Sequence, residues 1–420
     1  MSRIHPKVEN APGLIWRPYQ KGWEARWQAR TDLVNKGFAP KSQRLWTGEQ
    51  PTETEAAYIS DSCQRLQTEM LLFSRGGIPV AINVFDGTIR SLVNCYQTDP
   101  HSRYHKKRYS TRRNHDTMLR RIAVRHGPEE LRDIKGRTLL AWCAEWSDGG
   151  RMLATWQSVR GLLRVMFSFG FAILEDPECE RLCALMSSDA MEIEHSPPRT
   201  QSITAEWATA IRVTAREHFD WPCMALAQAL QFELTLRQKD VIGEWVPISE
   251  PGTSDITWRK QKWLRGLRWS EVDANFVLKH VTSKRQKEIE VNLMLAPMVL
   301  EELALMAGVS PAMLRRDMFP TTGPIVKNRL TNWPYNDSEF RRKWRKVANV
   351  AGIPRNVFNM DSRAGAISEA VRAGAPLTLI RHAATHSDIA MTQKYDRQAA
   401  EATATVMTMR IEKRNKPKTE

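Results

Sequence analysis

Residues 360–397 read MDSRAGAISEAVRAGAPLTLIRHAATHSDIAMTQKYDR. Arg363 opens a short alanine-rich segment. An apolar stretch then runs into His386-Ser387-Asp388-Ile389, and Tyr395 follows nine residues after the histidine. No other tyrosine lies between Tyr335 and the C-terminus. Taken singly, these residues have ordinary readings: a solvated arginine early in a helix, a histidine capping a loop, a packed tyrosine. The ordered set says more than its members, and its reading depends on the context upstream.

A chain of 420 residues is long enough for two or three domains with their own cores. The net charge of +15 and a pI near 9.7 point to a polyanionic partner, with nucleic acid favoured over an anionic membrane. No apolar run reaches the ~18 residues that span a bilayer. The N-terminal MSRIHPKVENAPG has no signal-peptide core, so a cytoplasmic, nucleoid-associated protein is expected. The cysteines, 63, 95, 143, 179, 183 and 223, form no Cys-x-x-Cys pair. Reduced buried thiols are expected rather than a zinc site, although Cys179 and Cys183 could share a helix face. No Walker-type glycine loop is present, so neither ATP nor another cofactor is implied.

Three regions precede the C-terminal segment. In WEARWQAR, Trp23, Ala25, Trp27 and Ala29 alternate with Glu24, Arg26, Gln28 and Arg30, the period of a half-buried strand. LIWRPYQ before it and SQRLW after it complete a three-stranded sheet, with a turn at Asn35–Gly37. Its basic face reads equally as a DNA contact or as a solvated surface. Residues 52–72 look helical, and Arg75-Gly76-Gly77-Ile78-Pro79 breaks the chain. From 80 to 176 the pattern is helical. Asp86 is expected to cap IRSLVNCY. Arg103–Arg121 holds eight Lys/Arg against one Asp and leads into a stripe of Met118, Leu119, Ile122 and Ala123. Here Arg103, Lys106, Lys107, Arg108, Arg112 and Arg113 are the candidate DNA-binding residues. GRTLLAWCAEW and RMLATWQSVRGLLRVMFSFG give two more helices, the second stopped at Gly170. MEIEHSPPRTQSI (191–203) reads as a linker. The expected domains are therefore 1–77, an arm-type DNA-binding or accessory domain; 78–190, a helical domain; and 191–420, a catalytic domain with a C-terminal tail. The fold class is mainly α with small β-sheets (α+β).

The ordered set of Arg363, His386 and Tyr395 resembles the end of the catalytic domain of tyrosine recombinases, the phage integrase family, and the helical unit resembles that family's core-binding domain. The resemblance covers roughly residues 80 to 400. It implies a first catalytic arginine in a Leu-Arg dipeptide with an acid three residues on. Leu236-Arg237 and Asp240, expected on a helix, match that. It implies a lysine in the second turn of a β-meander, where Lys284 is the best match and Lys287 the alternative. The meander would include Trp269 in a strand, with a first turn at Asp273-Ala274-Asn275. VPISEPGTSDITWRKQKWLRG, which most members lack, reads as an inserted surface loop. Two positions depart from the pattern. Met360 stands where the family usually has histidine, and a thioether neither shuttles protons nor donates to phosphate. Asp361, His382 or a water are the candidates to replace it. Ala384-Thr385 replaces the usual Leu-Gly before His386.

The implied chemistry is phosphodiester exchange without metal or cofactor. Arg237 and Arg363 would clamp the non-bridging oxygens and His386 would donate a further hydrogen bond. Lys284 would protonate the leaving 5′-oxygen, and Tyr395 would attack to form a 3′-phosphotyrosine. The implied function is site-specific recombination integrating or excising a phage or other mobile element. The alternatives are a type IB topoisomerase-like enzyme and a DNA-binding regulator on a decayed recombinase fold. Expected partners are double-stranded DNA attachment sites and further copies of the chain, as a tetramer on synapsed DNA. A recombination directionality factor and a host DNA-bending protein are further candidates. The apolar spacing of Ala399, Ala402, Val406 and Met409 suggests a short tail helix that needs a surface to dock on; the resemblance implies the neighbouring protomer, with its own domain as the alternative.

Overall fold

The alternation at 23–29 builds the first sheet. In the computed structural model, which describes residues 5–20, 22–38, 40–74, 85–188, 191, 199–386 and 388–393, β1 (Leu14–Tyr19), β2 (Gly22–Gln28) and β3 (Ser42–Gly48) pair antiparallel in the order β1-β2-β3. Ala25, Trp27 and Ala29 are buried. On the other face Arg26 pairs with Glu24 at 2.9 Å. A short helix not anticipated from sequence, α1 (Thr31–Asn35), fills the β2–β3 connection and buries Leu33. Helix α2 (Glu53–Ser74) buries Ile59, Cys63, Leu66 and Met70, an i, i+3/i+4 stripe, in the same core as Trp27 and Leu45.

The helical part of this unit contains α3 (Ile89–Thr98), α4 (Tyr109–His126), α5 (Gly136–Trp146), α6 (Leu153–Leu174) and α7 (Pro177–Ser187) around one core. Two expectations are corrected. The cap of α3 is Thr88, whose side chain accepts from Ser91 N at 3.1 Å; Asp86 braces it by accepting from Thr88 N and Oγ1. Gly170 does not stop α6, which continues to Leu174 and ends at Glu175 in the left-handed region. Gly170 serves helix packing instead, since a Cβ there would lie 2.3 Å from Cys179 Sγ on α7. Helix α7 itself, started by Asp176 and Pro177, was not foreseen. It carries Cys179 and Cys183 one turn apart, and all six cysteines are free thiols.

The chain divides into two compact units, Met1–Pro198 and Arg199–Glu420. The 75–79 break and most of the 191–203 linker lie outside the described residues, as do Tyr395 and the tail. In the second unit α8 (Ala205–Val213) runs into a π-helical turn at Thr214–His218, followed by α9 (Pro222–Glu233) and α10 (Gln238–Ile242). Nearly all of α9 is buried, and α8, α11 (Pro297–Ala307) and α13 (Asp361–Arg372) pack on it. A buried cluster fastens α8 to α11, with Arg212 Nη1 3.1 Å and Arg216 Nη1 2.8 Å from Glu302 Oε1.

Three further corrections fall here. The LTLRQKD stretch is not continuous helix, because Thr235 sits at φ +51° and breaks the chain between α9 and α10. The presumed inserted loop is a sheet: β4 (Glu244–Pro247), β5 (Thr257–Trp258) and β6 (Gln261–Leu264) pair antiparallel in the order β4-β6-β5 around a fully buried Trp263. Trp269 lies in a 3-10 turn, Trp269–Glu271, rather than a strand. The hairpin of β7 (Val277–Val281) and β8 (Glu288–Asn292) follows, then α11 and α12 (Asp337–Val350). After α13 come α14 (Leu377–Ala383) and α15 (Ile389–Gln393). The fold is thus mainly helical with small antiparallel sheets. No helix among the described residues is long and apolar enough to cross a membrane.

Candidate active site

The break at Thr235 puts Arg237 at the N-cap of α10, with extended backbone (φ −75°, ψ 151°). Asp240, three residues on, has no exposed side-chain surface. One carboxylate oxygen accepts from Arg237 N at 3.2 Å and the other from Ser283 N at 2.6 Å. This acid therefore does more than neutralise a neighbouring arginine. It pins the start of α10 to the β7–β8 turn, the turn that carries the exposed Lys284. The turn is closed by Lys287 N and Gln286 N, which donate to Thr282 Oγ1 and Thr282 O, with Gln286 at φ +52°. Arg237 Nη1 is 3.9 Å from Asp240 Oδ2, too far for a hydrogen bond. Among the described residues this buried nitrogen has no hydrogen-bond partner.

Arg363 stands in the first turn of α13. Its Nη1 donates to Thr235 O and its Nη2 to Ala384 O, so one guanidinium ties the α9–α10 break to the end of α14. The placement of α13 depends on Gly365, where a Cβ would lie 1.8 Å from Ile203 O. It also depends on Ser362 Oγ, which accepts from the buried Gln228 Nε2 of α9 at 3.0 Å.

His386 follows α14, its backbone turned by Thr385 at φ +51°. Its ring is buried, and Nδ1 lies 2.9 Å from Thr392 Oγ1 of α15. Burial, then the charges of Arg363, Arg237 and Arg285, push its pKa down to about 4. Those effects put the three guanidinium charges within electrostatic reach of one imidazole. Such a site is electrostatically suited to an oxyanion: it offers an unsatisfied buried donor, two arginine forks and a neutral imidazole. Arg285 and Thr392 were not singled out from sequence. Arg285 could have been, since it adjoins Lys284 in the turn; Thr392 carries no sequence signal.

Met360, at the N-cap of α13, is 61% exposed. It lines a cleft of about 430 Å³ with Gln238, Arg341, Arg342, Arg345 and Phe358. Of the candidates to replace the usual histidine, Asp361 is buried and engaged by Arg199 Nη2 at 2.7 Å and Phe358 N at 2.8 Å. His382 is exposed beside Arg381. Tyr395 lies outside the described residues; α15 ends two residues before it.

In the other unit, Arg103, Lys106, Arg108 and Arg113 are exposed, and Lys107 and Arg112 are half-buried. Arg112 Nη1 donates to Lys107 O at 2.6 Å, which orders the loop that leads into α4. No group of three or more His, Cys, Asp or Glu among the described residues is arranged to hold a metal.

Residues 261–402 match the sequence pattern of the Phage integrase family. The second turn, Arg363, His386 and Tyr395 fall inside the match; Arg237 and Asp240 precede it. No curated protein matches in sequence. The chain is similar in structure to lambda integrase (residues 75–356) in a dimer bound to a COC′ core site. The TM-score is 0.53 at 16% identity, over 74% of this chain and 97% of that one. It is similar also to lambda integrase in a tetramer bound to a Holliday junction, with TM-score 0.53 at 15% identity, over 93% of this chain and 96% of that one. These likenesses give the fold. Residues 261–402 thus carry a match to the Phage integrase family, and the chain shares the fold of lambda integrase.

Proposed function

We propose that this chain is a site-specific DNA recombinase that cuts and rejoins duplex DNA through a 3′-phosphotyrosine at Tyr395, integrating or excising a phage or other mobile element. The observation that carries the proposal is the buried Arg237 Nη1, which has no hydrogen-bond partner among the described residues, together with the charges of Arg363, Arg237 and Arg285 that help keep His386 neutral. A non-bridging phosphate oxygen supplies the acceptor that this nitrogen lacks. In this reading Arg237 and Arg363 hold the scissile phosphate, and His386 donates to the same group. Lys284, on the turn that Asp240 pins, protonates the departing 5′-oxygen. The tyrosine oxygen forms a bond to phosphorus as the 5′-oxygen leaves. One ester replaces another, and the 5′-hydroxyl of a second strand reverses the step.

Residues 1–77 would be an arm-type DNA-binding or accessory domain and 78–190 the core-binding domain, contacting DNA through Arg103, Lys106, Lys107, Arg108, Arg112 and Arg113. Residues 191–420 would form the catalytic domain and its tail. Lambda integrase is seen as a dimer on a core site and as a tetramer on a Holliday junction, and this chain would assemble likewise on its attachment sites. The test is a nicked suicide substrate carrying the element's end. Wild type should trap a covalent adduct on Tyr395. Tyr395→Phe should bind the same DNA and trap none, since only the nucleophilic oxygen is gone. An adduct formed by Tyr395→Phe would mean the nucleophile is another residue.

A further inference from the structure

The family match begins at Gln261, the first residue of β6, so β4, β5 and the loop residues Arg259 and Lys260 precede it, and this loop is unusual. β5 and β6 pair Thr257 with Lys262 and Trp258 with Gln261, leaving a two-residue loop of Arg259 and Lys260. Both sit in the left-handed region, at φ +47° and +62°. A hairpin loop with two positive φ values favours Asn-Gly or Gly-Gly, because a Cβ is strained there. Here two long cations occupy it instead, and strain of this kind persists where the surroundings or a function hold it.

The tip continues a path that starts at the candidate active site. Gln238, next to Arg237, donates to Asp337 at the start of α12. Just ahead of α12, Pro334 O accepts from Trp245 Nε1 of β4 at 3.1 Å. The Trp245 ring meets Trp333 edge-on at 6.1 Å and Trp258 at 6.5 Å. Trp258 and Trp333 are 47% and 40% exposed, a large apolar surface for a region so basic. The Arg259 guanidinium lies 4.5 Å over the Trp258 ring, a cation–π contact that limits its freedom.

Residues 257–265 contain four cations and no acid. Two are occupied within the sheet: Lys262 Nζ donates to the carbonyls of Glu250 and Gly252, and Arg265 pairs with Glu244. The nearby Asp255 is taken by Arg268 at 2.7 Å. Arg259 and Lys260 are both exposed at the apex.

We propose that the Trp258–Gln261 hairpin is an additional DNA contact, placing Arg259 and Lys260 on backbone phosphates of the duplex whose scissile phosphate lies at Arg237. Trp258 acts as the platform that orients Arg259. The proposal rests on the recombinase reading and adds to it a contact outside the matched family region. Phosphate contacts of this type position the protein and carry no sequence information. They can therefore be read on a mixed-sequence duplex.

The test uses the full chain and the double substitution Arg259→Asn with Lys260→Gly. It supplies the residues that such a turn prefers, so the hairpin should form at least as well and Tm should stay the same or rise. Losing two phosphate contacts should lower the slope of log K against log salt by about 1.8 and weaken binding on the order of tenfold. Trp258→Ala, with both charges kept, should weaken binding less. An unchanged slope and affinity at preserved Tm would overturn the proposal. So would unchanged DNA binding with an altered oligomer mass in ultracentrifugation, which would make the hairpin a protein contact. If the wild type itself bound no duplex, the recombinase reading would fall first and the hairpin proposal with it.

Discussion

His386 should titrate far below an ordinary histidine in the free protein and move back up when an oxyanion enters. Its pKa is pushed from 6.5 to about 4, by burial first and then by Arg363, Arg237 and Arg285. Because the neutral form is the one the fold accommodates, the unfolded chain binds the extra proton more readily. The resulting stability is fully present above pH 6.5 and is lost as the pH falls from there toward 4. At pH 4.5 the shift corresponds to about 2–3 kcal/mol relative to neutral pH. His386→Asn removes the titrating group, so its unfolding free energy should fall less over the same pH interval than that of wild type. A phosphate placed among the three guanidinium groups cancels part of the field that opposes protonation. Duplex DNA should therefore raise the pKa while leaving the ring neutral near pH 7, where a neutral imidazole still donates through one N–H. The assay is the 13C-detected titration of the histidine ring, assigned with His386→Asn, in free and DNA-bound Tyr395→Phe protein. A free pKa at or above 6.5, or one that DNA leaves unchanged, would refute the shared oxyanion site.

Arg363→Lys should lower the cleavage rate on the order of 10²-fold or more. An ammonium cannot bridge Thr235 O and Ala384 O as the fork does, so urea unfolding should also show a loss of about 1–3 kcal/mol. Full cleavage by the lysine variant would remove the clamp role. Asp240→Ala strips the acceptor from both Arg237 N and Ser283 N and should cost about 2–4 kcal/mol in stability. At a temperature where it remains folded it should cleave more slowly than Asp240→Asn, which keeps one acceptor; equal rates would show that pinning the turn is unimportant. Met360→His should leave stability within about 0.5 kcal/mol, because the side chain is 61% exposed. It should cleave at least as fast as wild type near neutral pH; a large drop in Tm would show that Met360 packs.

What could be read from the sequence divides along physical lines. Strict alternation at Trp23–Arg30 specified a sheet face because the side-chain period of a strand leaves no other assignment. The stripe of Leu119, Ile122 and Ala123 specified the buried side of α4 in the same way. The breaks were harder. Thr235 carries no glycine or proline signal, yet its left-handed backbone ends α9 and presents Arg237 at a cap instead of on a helix face. At Gly170 the signal was present and misleading, because tertiary packing against Cys179 used the missing Cβ that a helix stop would also have used. The inserted sheet escaped notice because its strands are short and its turn is made of Arg259 and Lys260, the reverse of hairpin chemistry.

The same contrast runs through the candidate site. Residue types and order picked out Arg237, Arg363 and His386, since guanidinium and imidazole groups can be named without knowing where they point. What sequence could not convey is how they are held. Asp240 reaches across to Ser283, and Thr392 takes His386 Nδ1. Arg363 spends one proton of each terminal nitrogen on backbone carbonyls from two different breaks in the chain. Each of these links joins a predicted residue to a position with no chemical signature of its own. Together they leave Arg237 Nη1 as a buried donor beside the imidazole that its charge helps keep neutral. A buried donor that has no partner among the described residues costs stability. A fold that relied on internal pairing alone would place an acceptor there. A site that takes its acceptor from a phosphate has reason to leave the place open.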